Sequence, residues 1–293
     1  MSDILIKAIG FNKSVRLYGV VTTDVTNIIG DKFNYLPSSL DSMGRLLSMG
    51  AIMGGMLKGD ETITIRVEGN GAIGKIIIDS DSKGNIRGYS ENPNVHFENN
   101  NGTLNSTKTI GDKGNIIIIK DLKLKEPYTC YTPIINGEVA TDFAYYYSVS
   151  EQIPTAISLG VLVGDDSRAI CSGGYMIQLM PNTPDEVISK LEEKLKVLPP
   201  VSEMLNSDID MYDILKNITD DIEILSTTPI NFKCNCSKEK FARGLISLGK
   251  DELKDIIDKD HEIDCTCNFC LEKYHFNEDE LNELYNEALK KGK

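Results

Sequence analysis

The sequence is short of the features that mark most other classes of protein. No apolar run reaches the roughly 18 residues that a membrane-spanning helix requires, which excludes such a helix. The first ten residues hold no basic leader followed by an apolar stretch, so no secretory signal is expected. Basic side chains are in deficit, 31 against 44 acidic ones, giving a formal charge of -13. Nucleic acid and anionic membranes both call for clustered Lys and Arg, and neither is an expected partner. With only three histidines no convincing Ser/His/Asp triad can be assembled, and Gly71-Ala72-Ile73-Gly74 and the other glycine clusters match no phosphate loop. The expectation is a soluble cytoplasmic protein.

Cysteine is scarce over most of the chain and then abundant. Two cysteines, Cys130 and Cys171, fall in the first 233 residues, and five (Cys234, Cys236, Cys265, Cys267 and Cys270) fall within the next 37. An odd, clustered set without an export signal does not read as a disulfide framework, and metal binding or redox chemistry is the better reading. Cys130 and Cys171 have apolar or aromatic neighbours and are expected as core residues.

Charge divides the chain into three parts: residues 1–180 carry a net of -3, residues 181–230 a net of -7, and residues 231–293 a net of -3. The first part is strand-rich, with β-branched runs at Ile4–Ile9, Val15–Thr22, Thr62–Glu68, Ile73–Asp79, Ile86–Ser90 and Asn115–Lys120, bounded by turn residues. The Thr62–Glu68 run alternates polar and apolar residues, as a half-buried strand should. One helix, Leu40 to Lys58, interrupts the strands. It is glycine-rich and apolar nearly all round, so it should lie buried against a sheet. Strands in runs, with helices not strictly alternating, favour an α+β fold. Residues 181–230 read as an acidic helical linker. Thr183, Pro184 and Glu186 suggest a capped helix start, Val187, Leu191, Leu195 and Leu198 form one apolar stripe, and Pro199-Pro200 ends it. A second amphipathic segment spans Ser202 to Ile218. Both have little apolar surface and must dock on a neighbour to be stable.

The last 63 residues are too few and too charged for a large core and call for a metal or disulfides. Helices are expected at Ser237–Leu248, Asp251–Asp258 and Glu278–Lys290, the last with Asn277 and Glu280 as a capping pair. Cys234-Asn235-Cys236 and Cys267-Asn268-Phe269-Cys270 stand thirty residues apart, and two such pairs supply the four ligands that tetrahedral Zn²⁺ prefers. Four thiolates close the coordination sphere, which argues against a hydrolytic zinc enzyme. Two roles remain open: a purely structural zinc, or a switch in which oxidation of the thiolates removes the ligands and unfolds the domain. Cys265 forms a second C-x-C with Cys267 and is an alternative ligand; His261 and His275 lie near the cluster but are not needed. His96 reads as a surface histidine, and Tyr145-Tyr146-Tyr147, Met176 and Met180 as packing residues.

The cysteine pattern, with Ser237 and Leu248-Gly249 after its first pair, resembles that of the heat-shock protein 33 family, the 33 kDa chaperonins. Arg87-Gly88-Tyr89-Ser90-Glu91-Asn92-Pro93, Ser150-Glu151-Gln152-Ile153-Pro154-Thr155-Ala156 and the block from Gly173 to Pro181 resemble further segments of that family, in the same order along nearly the whole chain. The resemblance implies an ATP-independent holdase rather than an enzyme. It implies that Cys234, Cys236, Cys267 and Cys270 bind one Zn²⁺ when reduced and keep the chaperone off. It implies that oxidation joins neighbouring cysteines, expels zinc and unfolds the C-terminal domain with its linker. The oxidised form would be a homodimer that holds unfolding client proteins. Cys265 departs from the family pattern and leaves the oxidised pairing open. A constitutive zinc interaction module and a thiol–disulfide oxidoreductase built on Cys267 and Cys270 are the rival readings.

Overall fold

The computed structural model describes residues 2–291. The chain forms two compact units, Met1–Lys233 and Cys234–Lys293. The first opens with β1 (Ile4–Gly10), β2 (Val15–Val21), α1 (Thr23–Phe33) and α2 (Pro37–Gly55). There follow β3 (Thr62–Gly69), β4 (Lys75–Asp81), β5 (Asn85–Ser90), α3 (Ser106–Ile110), β6 (Gly114–Asp121) and β7 (Tyr128–Pro133). Next, α4 (Val139–Tyr146) runs into a π-helical turn, Tyr147–Glu151, which leads to β8 (Thr155–Val163) and β9 (Ala169–Leu179). The unit closes with α5 (Asp185–Val197), α6 (Val201–Asn206), α7 (Met211–Ile218), β10 (Glu223–Pro229) and β11 (Asn231–Phe232).

Two sheets carry this unit, in the orders β10-β1-β2-β9-β8 and β11-β5-β4-β3-β6-β7. All pairings are antiparallel except β11 with β5. As the sequence leads one to expect, α2 is buried almost all round, and it packs against both sheets at once. Its glycines make this possible: a Cβ at Gly44 would stand 2.8 Å from Val161 of the first sheet, and one at Gly50 would stand 2.7 Å from Ile78 of the second. Leu40, Met43, Leu46, Leu47, Met49 and Ile52 fill the space between, with Leu5, Val20, Ile63, Ile65 and Ile78 from the strands. Burial of this much apolar surface, at about 25 cal/mol per Å², is the main stabilising term.

The other face of the first sheet carries a second apolar layer. Ile6, Ala8, Val15, Leu17, Val21, Cys171, Tyr175 and Ile177 point away from α2 and are covered by α5, α6 and α7. Those helices bury more than their acidic composition suggests. Val201, Met204, Leu205, Met211, Ile214, Leu215 and Ile218 are all buried, and Leu191 of the α5 stripe is buried beside half-buried Val187, Leu195 and Leu198.

Several expectations need correction. Residues 1–180 contain α1, α3 and α4 besides α2, not one helix. α1 is rich in Thr, Val and Ile, which favour strands, and its start is capped from outside: Asp3 accepts hydrogen bonds from the Asp24 and Val25 amides at 3.0 and 2.8 Å. β4 begins at Lys75 rather than Ile73, after Gly74 in the left-handed region. α5 begins at Asp185 with Pro184 as cap residue, while the Thr183 hydroxyl donates to Ser14 O and Met180 O instead of capping. Cys171 is buried, but Cys130, on the edge strand β7, is half-buried. Tyr146 and Tyr147 are core residues and Tyr145 is partly exposed, while His96 lies at the surface against Glu98.

The second unit comprises α8 (Lys238–Leu248), α9 (Lys250–Lys259), a hairpin of β12 (Ile263–Thr266) and β13 (Lys273–Phe276), and α10 (Glu278–Lys291). The helix starts fall where the sequence puts them. Ser237 accepts from Lys240 N, and Asn277 and Glu280 bond each other's backbone amides at 3.0 and 3.2 Å. Among the described residues its core is small, centred on five buried side chains: Leu245, Leu253, Ile257, Phe276 and Leu281.

Candidate metal centre

The two cysteine pairs occupy the two ends of a short path through the second unit. Cys234 and Cys236 lie in the extended stretch before the Ser237 cap of α8, and Cys267 and Cys270 lie in the turn between β12 and β13. That turn is shaped for sulfur. The backbone N–H groups of Phe269 and Cys270 face the Cys267 sulfur, that of Glu272 faces Cys270, and Cys267 N donates to Glu272 O at 2.9 Å. Leu271 takes a left-handed conformation, φ +62°, to complete it.

All four sulfurs lie within 4.8 Å of one another, with Cys234 to Cys267 at 3.7 Å and Cys236 to Cys270 at 3.2 Å. Four sulfurs about 2.3 Å from a central Zn²⁺ would be separated by about 3.8 Å, so the observed set is close to the tetrahedron that zinc prefers. As bare thiols Cys267 and Cys270 resist ionisation. Burial and neighbouring sulfurs hold the Cys267 and Cys270 thiols above their ordinary range, while the surrounding backbone N–H groups pull the other way. A central dication reverses this balance, because it stabilises the thiolates that crowding disfavours. The donor set therefore fits a soft-ligand divalent metal, zinc first among them.

Around the sulfurs, the Tyr274 hydroxyl donates to Cys236 Sγ at 3.2 Å, and its ring packs on Phe241 at 5.0 Å. Lys238 pairs with Glu280 and lies over the Phe276 ring, tying the start of α8 to α10. Cys265 does not join the four. It sits opposite Tyr274 on the hairpin and contributes to the small apolar core, where burial and the Asp264 carboxylate push its thiol up. His275 pairs with Asp264 and Glu262, and His261 with Glu278, so neither histidine is turned to the sulfur group. Tyr274 is the contact that sequence reasoning misses; its place seven residues after Cys267 carries no spacing signal.

In the motif blocks outside the cysteines, Arg87, Ser90 and Glu151 are structural anchors. Arg87 pairs with Asp79 at 2.7 Å, and Ser90 Oγ bonds Tyr35 OH at 2.7 Å. Burial raises the Glu151 carboxyl, but Lys120, at 2.6 Å, and the Tyr146 hydroxyl outweigh it and hold it below the ordinary range.

Comparison with known proteins decides the family. The family model described as Hsp33 protein matches residues 3–277. The chain belongs to this family. The 33 kDa chaperonin of Geobacillus kaustophilus is 42% identical over 287 residues, covering 97% of this chain and 98% of that one. That of Enterococcus faecalis is 41% identical over 296 residues, covering 100% and 99%. The crystal structure of the 33 kDa chaperonin of Thermotoga maritima superposes with a TM-score of 0.88 at 31% identity, covering 99% of this chain and 100% of that one. The Hsp33 family is one of chaperones and not of enzymes. No helix among the described residues is long and apolar enough to cross a membrane.

Proposed function

We propose that this chain is a redox-regulated, ATP-independent holdase of the cytoplasm. In the reduced state Cys234, Cys236, Cys267 and Cys270 hold one Zn²⁺, which supplies the cross-link that the small second unit otherwise lacks. The observation that carries this reading is the sulfur tetrad standing beside a small core that centres, among the described residues, on five buried side chains. Metal binding on the order of 10–16 kcal/mol exceeds what such a core can contribute.

Activation begins at the thiolates. An oxidant such as peroxide takes two electrons from each pair, forming Cys234–Cys236 and Cys267–Cys270 disulfides. Each peroxide is reduced to two waters, with two protons drawn from solvent. The four ligands are thereby lost, and with them the metal and the fold of the second unit. The chain then loses the anchor that follows directly on β11, an edge strand of two residues. Residues 181–230 act as the linker that responds. Its release uncovers Leu17, Val21, Tyr175 and Ile177 together with its own Leu191 and Met204, an apolar surface suited to unfolding clients. The acidic charge keeps the complex in solution, and the oxidised protein pairs as a homodimer.

Light scattering of an unfolding client tests the reading directly. Suppression of aggregation by the oxidised, metal-free form alone supports it. Equal behaviour of the reduced, zinc-loaded form would reduce the tetrad to a structural site.

A further inference from the structure

Two of the motif blocks that the switch does not use meet at one place. Gln152, Ile153 and Pro154 from the first, and Gln178, Leu179, Met180 and Pro181 from the second, wall a cleft of about 540 Å³. Arg16, Asn182, Thr183 and Ile188 complete the lining, so the cleft lies between the first sheet and the start of α5. Its walls are mainly apolar, and Arg16 is the one charged residue in the lining; it is exposed, in no ion pair among the described residues, and hydrogen-bonded to the Tyr18 side chain.

Gln178 supplies the second observation. It is 1% exposed, and it stands between Arg16 of β2 and Thr155 of β8 in the cross-strand register. Its Nε2 donates to Thr155 Oγ1 at 3.3 Å, while the Thr155 hydroxyl itself donates to Ile153 O at 2.9 Å. That chain of donors fixes the orientation of the amide, because a flipped Gln178 would present no N–H to Thr155. Its Oε1 is left buried without a donor. A buried acceptor without a partner is costly, and it marks a place where a missing N–H belongs.

We propose that this cleft binds the C-terminal residue of a peptide chain that ends in an apolar amino acid. The terminal carboxylate pairs with the Arg16 guanidinium, the last amide N–H satisfies Gln178 Oε1, and the side chain packs on Ile153, Leu179 and Ile188. One cation in an apolar cleft, within a protein of net charge -13, selects a single carboxylate on an apolar body rather than a polyanion. Because Thr183 and Ile188 belong to the segment that starts α5, the occupied cleft also holds that helix in place, and by linkage the docked helix favours binding.

The test uses the full-length reduced chain and the dipeptide N-acetyl-Ala-Leu, with its C-terminal amide as control, followed by NMR titration. The acid should bind with a dissociation constant on the order of 1 mM, the scale for so few atoms, and shift the amides of Arg16, Met180 and Ile188. The amide control and the Arg16→Gln variant should each weaken binding about tenfold or more, since both remove the same ion pair. Hydrogen exchange in α5 should slow when the acid is bound. Gln178→Leu, checked for folding by its spectrum, should abolish the preference for N-acetyl-Ala-Leu over 4-methylpentanoate, which has the carboxylate but no N–H. Equal binding of acid and amide, shifts mapping elsewhere, or no binding in the millimolar range would each overturn the assignment.

Discussion

Gly19 of β2 lies directly under Met211 of α7: a Cβ built on Gly19 would stand 2.7 Å from both Cγ and Sδ of Met211 and 3.0 Å from Leu215. The sheet is bare of side chain at the point where α7 rests on it. A substitution there therefore acts on docking before it acts on the sheet. Gly19→Val should destabilise the docked helix by about 1–3 kcal/mol, the usual range for overpacking. In the reduced, zinc-loaded protein it should raise amide exchange in α7 and produce partial holdase activity without oxidant. Full latency with unchanged exchange would show that release of the linker is not what exposes the client surface.

Removing one sulfur should have an effect out of proportion to its size. Cys267 is buried, lies 3.7 Å from Cys234, and is fixed by two backbone N–H groups. Cys267→Ser should lower zinc affinity by several orders of magnitude and leave the second unit largely unfolded at 25 °C. The core between the two sheets of the first unit, which α5, α6 and α7 do not enter, should keep its thermal transition. Zinc content per chain together with circular dichroism checks both parts. Cys265→Ser, which changes a thiol outside the tetrad, should retain a full equivalent of zinc.

What is legible in the sequence follows how local each signal is. The cysteine pairs, the start of α8 at Ser237, the Asn277–Glu280 capping pair and the alternation of β3 are written within a few residues each, and all stand at the expected positions. α1 is illegible because its cap, Asp3, lies just before β1, about twenty residues earlier in the chain. β8 and β9 escape notice because Gly160, Gly173 and Gly174 break the strand-like composition, although close approach of neighbouring backbone and side chains is the reason for glycine there. The apolar content of α6 and α7 is easily undervalued, since net charge over residues 181–230 hides the Met, Ile and Leu side chains on their buried faces. The tetrad can be read as four ligands, but not the Tyr274 contact, which depends on how the β12–β13 hairpin folds back.

Tyr274 offers a way to separate metal binding from thiol reactivity. Its hydroxyl donates to Cys236 Sγ at 3.2 Å, and its ring packs on Phe241. Tyr274→Phe keeps the ring and removes the donor, at a cost of about 1 kcal/mol. Zinc stoichiometry should stay at one, while a sulfur without that hydrogen bond is the better nucleophile. Peroxide-driven thiol loss should therefore speed up a few-fold, as read by thiol counting over time. A slower or unchanged rate would place the rate-limiting oxidation at another cysteine.

Asp3 makes stability of the first unit depend on pH in an uncommon direction. The side chain is 6% exposed, and burial pushes its carboxyl up from 3.8 to about 6 despite the Val25 and Asp24 amides, which favour the charged form. The folded state therefore holds its proton more tightly than the unfolded state. Its contribution to stability is complete below about pH 3.8 and is lost as pH rises through about 6. A rise of that size corresponds to about 3 kcal/mol at most, because each tenfold gain in proton affinity is worth roughly 1.4 kcal/mol. Other carboxylates titrate in the same window, so the informative quantity is the difference between wild type and Asp3→Asn. Urea denaturation of the first unit at pH 4, 5, 6 and 7 should show wild type losing stability relative to the variant across that span, with the difference levelling off above pH 7. A difference that does not vary with pH would mean that Asp3 titrates alike in the folded and unfolded chain, and that the two amides fully offset its burial.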